Sequence, residues 1–143
     1  MDWKQPEGLR RHWTMEELDA ELLFLQTPVN AAQGRVGDDV YDLRDGGQLR
    51  KVRTLSRDGT EIARLEEKAA GAGGTLRLGA FEYVWKPANL MGTTWALHNA
   101  AGVVVFRYVL RPGLVKAARL EMLGEPLDNL GVLALLTWYV AVL

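Results

Sequence analysis

The sequence predicts a mainly β protein in which antiparallel strands curl into a barrel around a buried C-terminal α-helix. Two observations carry that reading. Turn signals recur about every 8 to 12 residues from Asp39 to Leu123, and the 15 residues from Asn129 to Leu143 hold no charge. Runs between such close turn signals have the length of strands, and strands that follow one another without helices between them pair as an antiparallel meander. A helix that is apolar on every face has to be surrounded, and the preceding strands are the material at hand to surround it. The chain has 143 residues, enough for one domain with a substantial core.

Residues 1–14 read as an N-terminal arm and residues 15–143 as the barrel. Residues 15–25 support two patterns. Thr14 and Glu17 form a potential capping box, and Met15, Leu18, Leu22 and Leu25 recur at helical spacing. The apolar run Leu22-Leu23-Phe24-Leu25 before Thr27-Pro28 equally suits a buried strand. Further strands are expected at residues 40–44, 49–55, 60–66, 75–78, 81–86, 94–98, 103–110 and 115–123. Asp58-Gly59 is a favoured two-residue hairpin turn, and Phe81, Tyr83 and Trp85 alternate onto one face. The glycine-rich residues 69–74 read as a loop. The helix is expected over residues 127–143, opened by Pro126 and Asp128. Spanning a bilayer takes about 20 apolar residues, and Lys or Arg anchors are missing beside this run. Burial in protein is expected, with no transmembrane span.

Phe81-Glu82-Tyr83-Val84-Trp85-Lys86-Pro87, the stretch from Thr94 to Gly102, and Leu133 to Val140 resemble small bacterial members, of generally unassigned role, of the tubby C-terminal-like superfamily. That superfamily includes LURP-one-related proteins and phospholipid scramblases. The resemblance implies an antiparallel barrel of roughly 10–12 strands, complete or not, that encloses its own C-terminal helix. It also favours an early strand over residues 17–25. Tubby domains bind phosphoinositides through basic side chains on adjacent strands, so the resemblance makes anionic lipid head groups the expected ligand.

With no cysteine and only His12 and His98, disulfide frameworks and thiolate metal sites are excluded, and histidine-based catalysis is disfavoured. No metal and no cofactor are expected. Ser56 lacks a nucleophile-elbow context. The tryptophans fit a core better than a nucleic-acid stacking platform, so nucleic acid is not an expected partner. The N-terminal residues show no secretory or transit pattern, which gives a cytoplasmic expectation, free or peripheral to the membrane.

The formal net charge of -1 is unevenly spread: residues 1–43 carry 4 basic and 9 acidic side chains, residues 44–119 carry 13 and 6, and residues 120–143 carry 0 and 3. The basic middle supplies the candidate anion site: Arg44, Arg50, Lys51, Arg53 and Arg64, on consecutive strands around the Asp58-Gly59 turn. Asp45, Glu61, Glu66 and Glu67 are close enough in sequence to neutralise it. The expected function is a non-catalytic binding module for an anionic ligand, phospholipid or phosphoinositide head groups in particular. The alternatives are a protein-interaction scaffold and a scramblase-like protein with the C-terminal helix inserted in the membrane.

Overall fold

A computed structural model describes residues 1–7, 10–46, 51–68, 72–113, 116–124 and 128–143. Among these residues are twelve strands: β1 (Asp2–Trp3), β2 (His12–Met15), β3 (Ala20–Phe24), β4 (Ala32–Val36), β5 (Asp39–Asp45), β6 (Val52–Arg57), β7 (Thr60–Glu67), β8 (Gly74–Leu78), β9 (Phe81–Pro87), β10 (Thr94–Asn99), β11 (Val104–Leu110) and β12 (Ala118–Met122). Helix α1 (Leu130–Val142) follows them. From β2 to β12 each strand pairs antiparallel with the next, and β1 pairs with β12. The seam between β1 and β2 is held by one antiparallel bridge, in which the Lys4 and Thr14 amides and carbonyls exchange bonds of 3.0 and 2.8 Å. The barrel is therefore nearly closed.

Alternation builds the interior. Trp13 and Met15 on β2, Tyr41 and Leu43 on β5, Tyr83 and Trp85 on β9, and Phe106 and Tyr108 on β11 are buried, while residues between them are less covered or exposed. Eight strands give a barrel that side chains alone just fill; twelve leave a larger lumen, and α1 occupies it. Its residues Leu133 to Tyr139 are all buried. Trp138 is held from several sides: Trp3 stacks on it at 6.0 Å and 6°, and Trp13 meets it edge-on at 6.1 Å. Two glycines allow the helix to come close. A Cβ on Gly131 would stand 2.5 Å from Val36 Cγ1, and one on Gly34 would collide with Leu135.

The buried polar groups fix the helix in register. Trp3 Nε1 donates to Tyr108 Oη at 3.1 Å, and Tyr108 Oη donates to the Ala134 carbonyl at 2.8 Å. Thr137 Oγ1 donates to the Leu133 carbonyl at 2.8 Å and lies 3.1 Å from Tyr108 Oη. Burial pushes the Tyr108 phenol well above the ordinary tyrosine range.

Several sequence expectations are corrected. Residues 1–14 are not an arm outside the barrel, because β1 and most of β2 lie within them. Glu16–Leu18 is a short 3-10 helix with no side-chain cap, so the Thr14–Glu17 capping box does not form, and the strand after it starts at Ala20 rather than at residue 17. Ser56, which its sequence position beside Asp58-Gly59 places in the hairpin turn, lies instead within β6, paired with Asp42 and Glu61. The turn itself is as expected: Asp58 and Gly59 have φ of 51° and 80°, and Arg57 pairs with Thr60. The described helix begins at Leu130; the expected start at Leu127 lies outside the described residues.

Replacing Tyr108 by Phe removes the acceptor of Trp3 Nε1 and leaves that donor buried. Urea unfolding of Tyr108→Phe is expected to show a loss of about 1–3 kcal/mol with an unchanged m-value; a loss below about 0.5 kcal/mol would show that the network does not hold the helix.

Candidate functional site

The candidate basic residues fall on opposite faces of the sheet. On β5 Leu43 points inward, so Arg44 points out; on β7 Leu65 points inward, so Arg64 points out; on β6 Arg53 shares the inward face with Leu55. Arg44 and Arg64 both flank Thr54 across the outer surface. Arg64 is engaged by Glu61 at 2.9 Å and by Glu66 at 3.3 Å, and Arg44 lies 3.9 Å from Asp42. Lys51, exposed, precedes β6 and lines the barrel mouth together with Arg53. Arg50 lies outside the described residues. Arg44, Arg53 and Arg64 therefore do not share one anion cradle: the period-two alternation of strands separates Arg53 from Arg44 and Arg64.

Arg53 is instead the centre of an internal ion cluster. It is only 6% exposed, with Nε 3.2 Å from Asp45 and Nη1 2.9 Å from Glu67, both contacts off the hydrogen-bond axis. Beside it a cavity of about 220 Å³ opens between Lys51, Trp85, Trp95, Leu110 and the last turn of α1. The Tyr139 hydroxyl, bonded to the Asn30 carbonyl, is pushed upward by burial and then by the Asp45 charge.

A larger pattern comes from the up-and-down topology, which places alternate connections at opposite ends of the barrel. One rim carries the β2–β3, β4–β5, β6–β7 and β8–β9 turns, with Glu16, Glu17, Asp19, Asp38, Asp58 and Glu82. Its guanidinium groups are engaged: Arg35 with Asp19 at 3.1 Å, Arg57 with Asp39 at 2.9 Å, and Arg77 with Glu82 at 3.6 Å. The other rim carries the β1–β2, β5–β6, β7–β8, β9–β10 and β11–β12 connections, with Arg11, Lys51, Lys68, Lys86 and Lys116. Among the described residues none of those five cations has a carboxylate within 4 Å. Arg11 lies over the Phe24 ring at 3.9 Å, and Lys116 Nζ donates to the Val142 carbonyl at 3.5 Å. Exposed Val29, Leu90 and Met91 project from the same basic end, Leu90 with no cover at all.

Sequence reasoning found the basic middle segment but not this sorting. The signal was present in the alternation of acidic and basic connections along the meander, and it becomes legible only once the strands are known to run antiparallel without exception. The remaining polar candidates are dispersed. His98 sits beside a register shift in β10, and His12 Nε2 lies 3.5 Å from Glu21. Among the described residues no three His, Asp or Glu side chains gather as a metal site would require. Compared with known protein families, curated proteins and solved structures, the chain matches none of them.

Two outcomes are expected. Arg53→Leu leaves Asp45 and Glu67 facing one another without a cation, costing roughly 3 kcal/mol in denaturant unfolding. Replacing Asp45 by Asn and Glu67 by Gln in the same chain should restore much of that loss; no recovery would mean that Arg53 acts by packing alone. On the outer wall, Arg107 and then Arg119 hold the Glu121 carboxyl below its ordinary value. A depressed folded-state pKa contributes stability above the unfolded value of about 4.3 and loses it as pH falls through the lower folded value. Glu121→Gln is therefore expected to lower Tm near neutrality and to flatten the fall of Tm on the acid side; parallel Tm curves for the two proteins would contradict it.

Proposed function

We propose that this chain is a non-catalytic module that binds anionic surfaces through its basic rim, with phospholipid head groups as the ligand and a peripheral position on a membrane, on the cytoplasmic side. The observation that carries the reading is the coincidence, at one end of the barrel, of cations that have no carboxylate within 4 Å among the described residues and of the exposed apolar side chains Leu90 and Met91. Each Lys or Arg close to an anionic bilayer contributes about 1 kcal/mol. Apolar tips that reach the acyl boundary add about 0.8 kcal/mol per buried methylene. Of the originally expected residues, Lys51 belongs to this surface, while Arg44 and Arg64 are paired on the wall and Arg53 lies inside.

Contact through the rim also leaves the core intact. No helix among the described residues is long and apolar enough to cross a membrane, and α1 is engaged by strands around it. A scramblase-like insertion of α1 would empty the barrel and strand its aromatic interior in water.

Co-sedimentation with vesicles tests the reading. Binding is expected to rise with the fraction of anionic lipid and to fall between low and physiological salt. Lys51→Glu combined with Lys86→Glu should weaken it at least tenfold, and Leu90→Asp should weaken it in a way that salt does not reproduce. Binding indifferent to lipid charge would reject the proposal.

A further inference from the structure

The acidic rim carries a largely apolar groove of about 500 Å³ between the start of β9 and the β10–β11 turn, lined by Ala80, Phe81, Glu82, Tyr83, Asn99 and Val105. Phe81 is 64% exposed and Val103 beside the turn 58% exposed. Phe81 shares the strand face of Tyr83 and Trp85 but lies at the strand's first residue, so it projects past the end of the core that covers the other two. An apolar patch rimmed by charge marks a contact site. The rim's charge is negative: Glu16, Glu17, Asp38 and Asp58 have no cation within 4 Å among the described residues.

The complement of that surface is on the same molecule. The opposite end of the barrel presents Leu90 and Met91 on the β9–β10 connection, at the same end as Lys51, Lys68 and Lys86. We propose that the occupant of the groove is a second copy of this chain: Leu90 and Met91 of one barrel seat beside Phe81 of the next, and the basic rim faces the acidic one. The two surfaces lie at opposite ends of one barrel, so the contact is heterologous and does not close into a two-fold dimer; repeated, it stacks barrels end to end. Opposite charge sets the polarity of the stack and disfavours like ends meeting. A contact built on two side chains and one groove belongs with the weak class of protein interfaces, those below about 1,200 Å², so association is a property of concentrated protein.

The inference stands apart from the lipid reading, because it needs only the two rims. Sedimentation velocity without lipid tests it on the full chain, with Phe81→Glu or Val103→Glu disabling the groove and Leu90→Asp with Met91→Asp disabling the tip. All these side chains are exposed, and far-UV circular dichroism is expected to be unchanged. The parent protein should grow in average mass with concentration at low salt and less so at about 1 M salt, where the screening length is roughly 3 Å. Each variant alone should stay monomeric, and an equimolar mixture of a groove variant and the tip variant should form a two-copy complex and nothing larger. A parent that stays monomeric at every concentration overturns the proposal. So does a mixture that fails to pair, or a tip variant that still dimerises, which would assign the groove to a two-fold contact. Vesicle binding by Phe81→Glu is expected to match the parent, which keeps the two proposals separable.

Discussion

A twelve-stranded barrel cannot be filled by its own side chains, and everything else in this structure follows from how that volume is occupied. An α-helix with its side chains is about 10–12 Å across, and α1 supplies such a cylinder. It is apolar on every face because every face meets a strand. The charge-free stretch thus forms the centre of the core, its buried residues surrounded by those of the strands. Its demands reach back into the strands: Ala32 and Gly34 on β4 are small where the helix comes nearest, and Trp3, Trp13 and Tyr108 are large where it stands away. The single hydroxyl of Tyr108, meeting Trp3, Ala134 and Thr137, fixes the depth of a cylinder that apolar contact alone would leave free to slide.

Filling the lumen with apolar groups has an electrostatic corollary. Charges are pushed to the wall and to the two rims, and on the wall they neutralise one another, as Arg107, Arg119 and Glu121 do. The rims are where unpaired charge survives, and an up-and-down meander gives each rim every second connection. The near-zero net charge of the chain conceals an end-to-end polarity that a count along the sequence resolves only in part. An inner ion cluster, Asp45, Arg53 and Glu67, sits at the mouth of the basic end, where Asp45 keeps about 23% of its side chain exposed.

Most of the wall was legible in the sequence, and the misses have physical causes. Strands β5 to β11 announce themselves by alternation and by turn residues, and Asp58-Gly59 fixes one hairpin outright. β4 was not foreseen because its inward positions are Ala32 and Gly34; the close helix forbids the large apolar residues by which a strand is recognised. β1, two residues long, has no period to read, and its ladder partners Ala118 and Arg119 lie more than a hundred residues away in sequence. The facing of the candidate basic residues was missed for a different reason. Arg44, Arg53 and Arg64 were correctly put on neighbouring strands, but their parity relative to Leu43, Leu55 and Leu65 decides which side of the wall each occupies.

The helix follows all twelve strands in the chain, and this order governs synthesis. While the ribosome is still adding the helix, the strands already made have no lumen filler, and tryptophans that will grip Trp138 face water or one another. Until the helix is made, the apolar inward faces of those strands lack the partner that covers them, and exposed apolar surface with unpaired strand edges makes incomplete chains prone to aggregate. Among the described residues the seam between β1 and β2, held by one backbone bridge, is the join in the wall that carries the fewest backbone bonds.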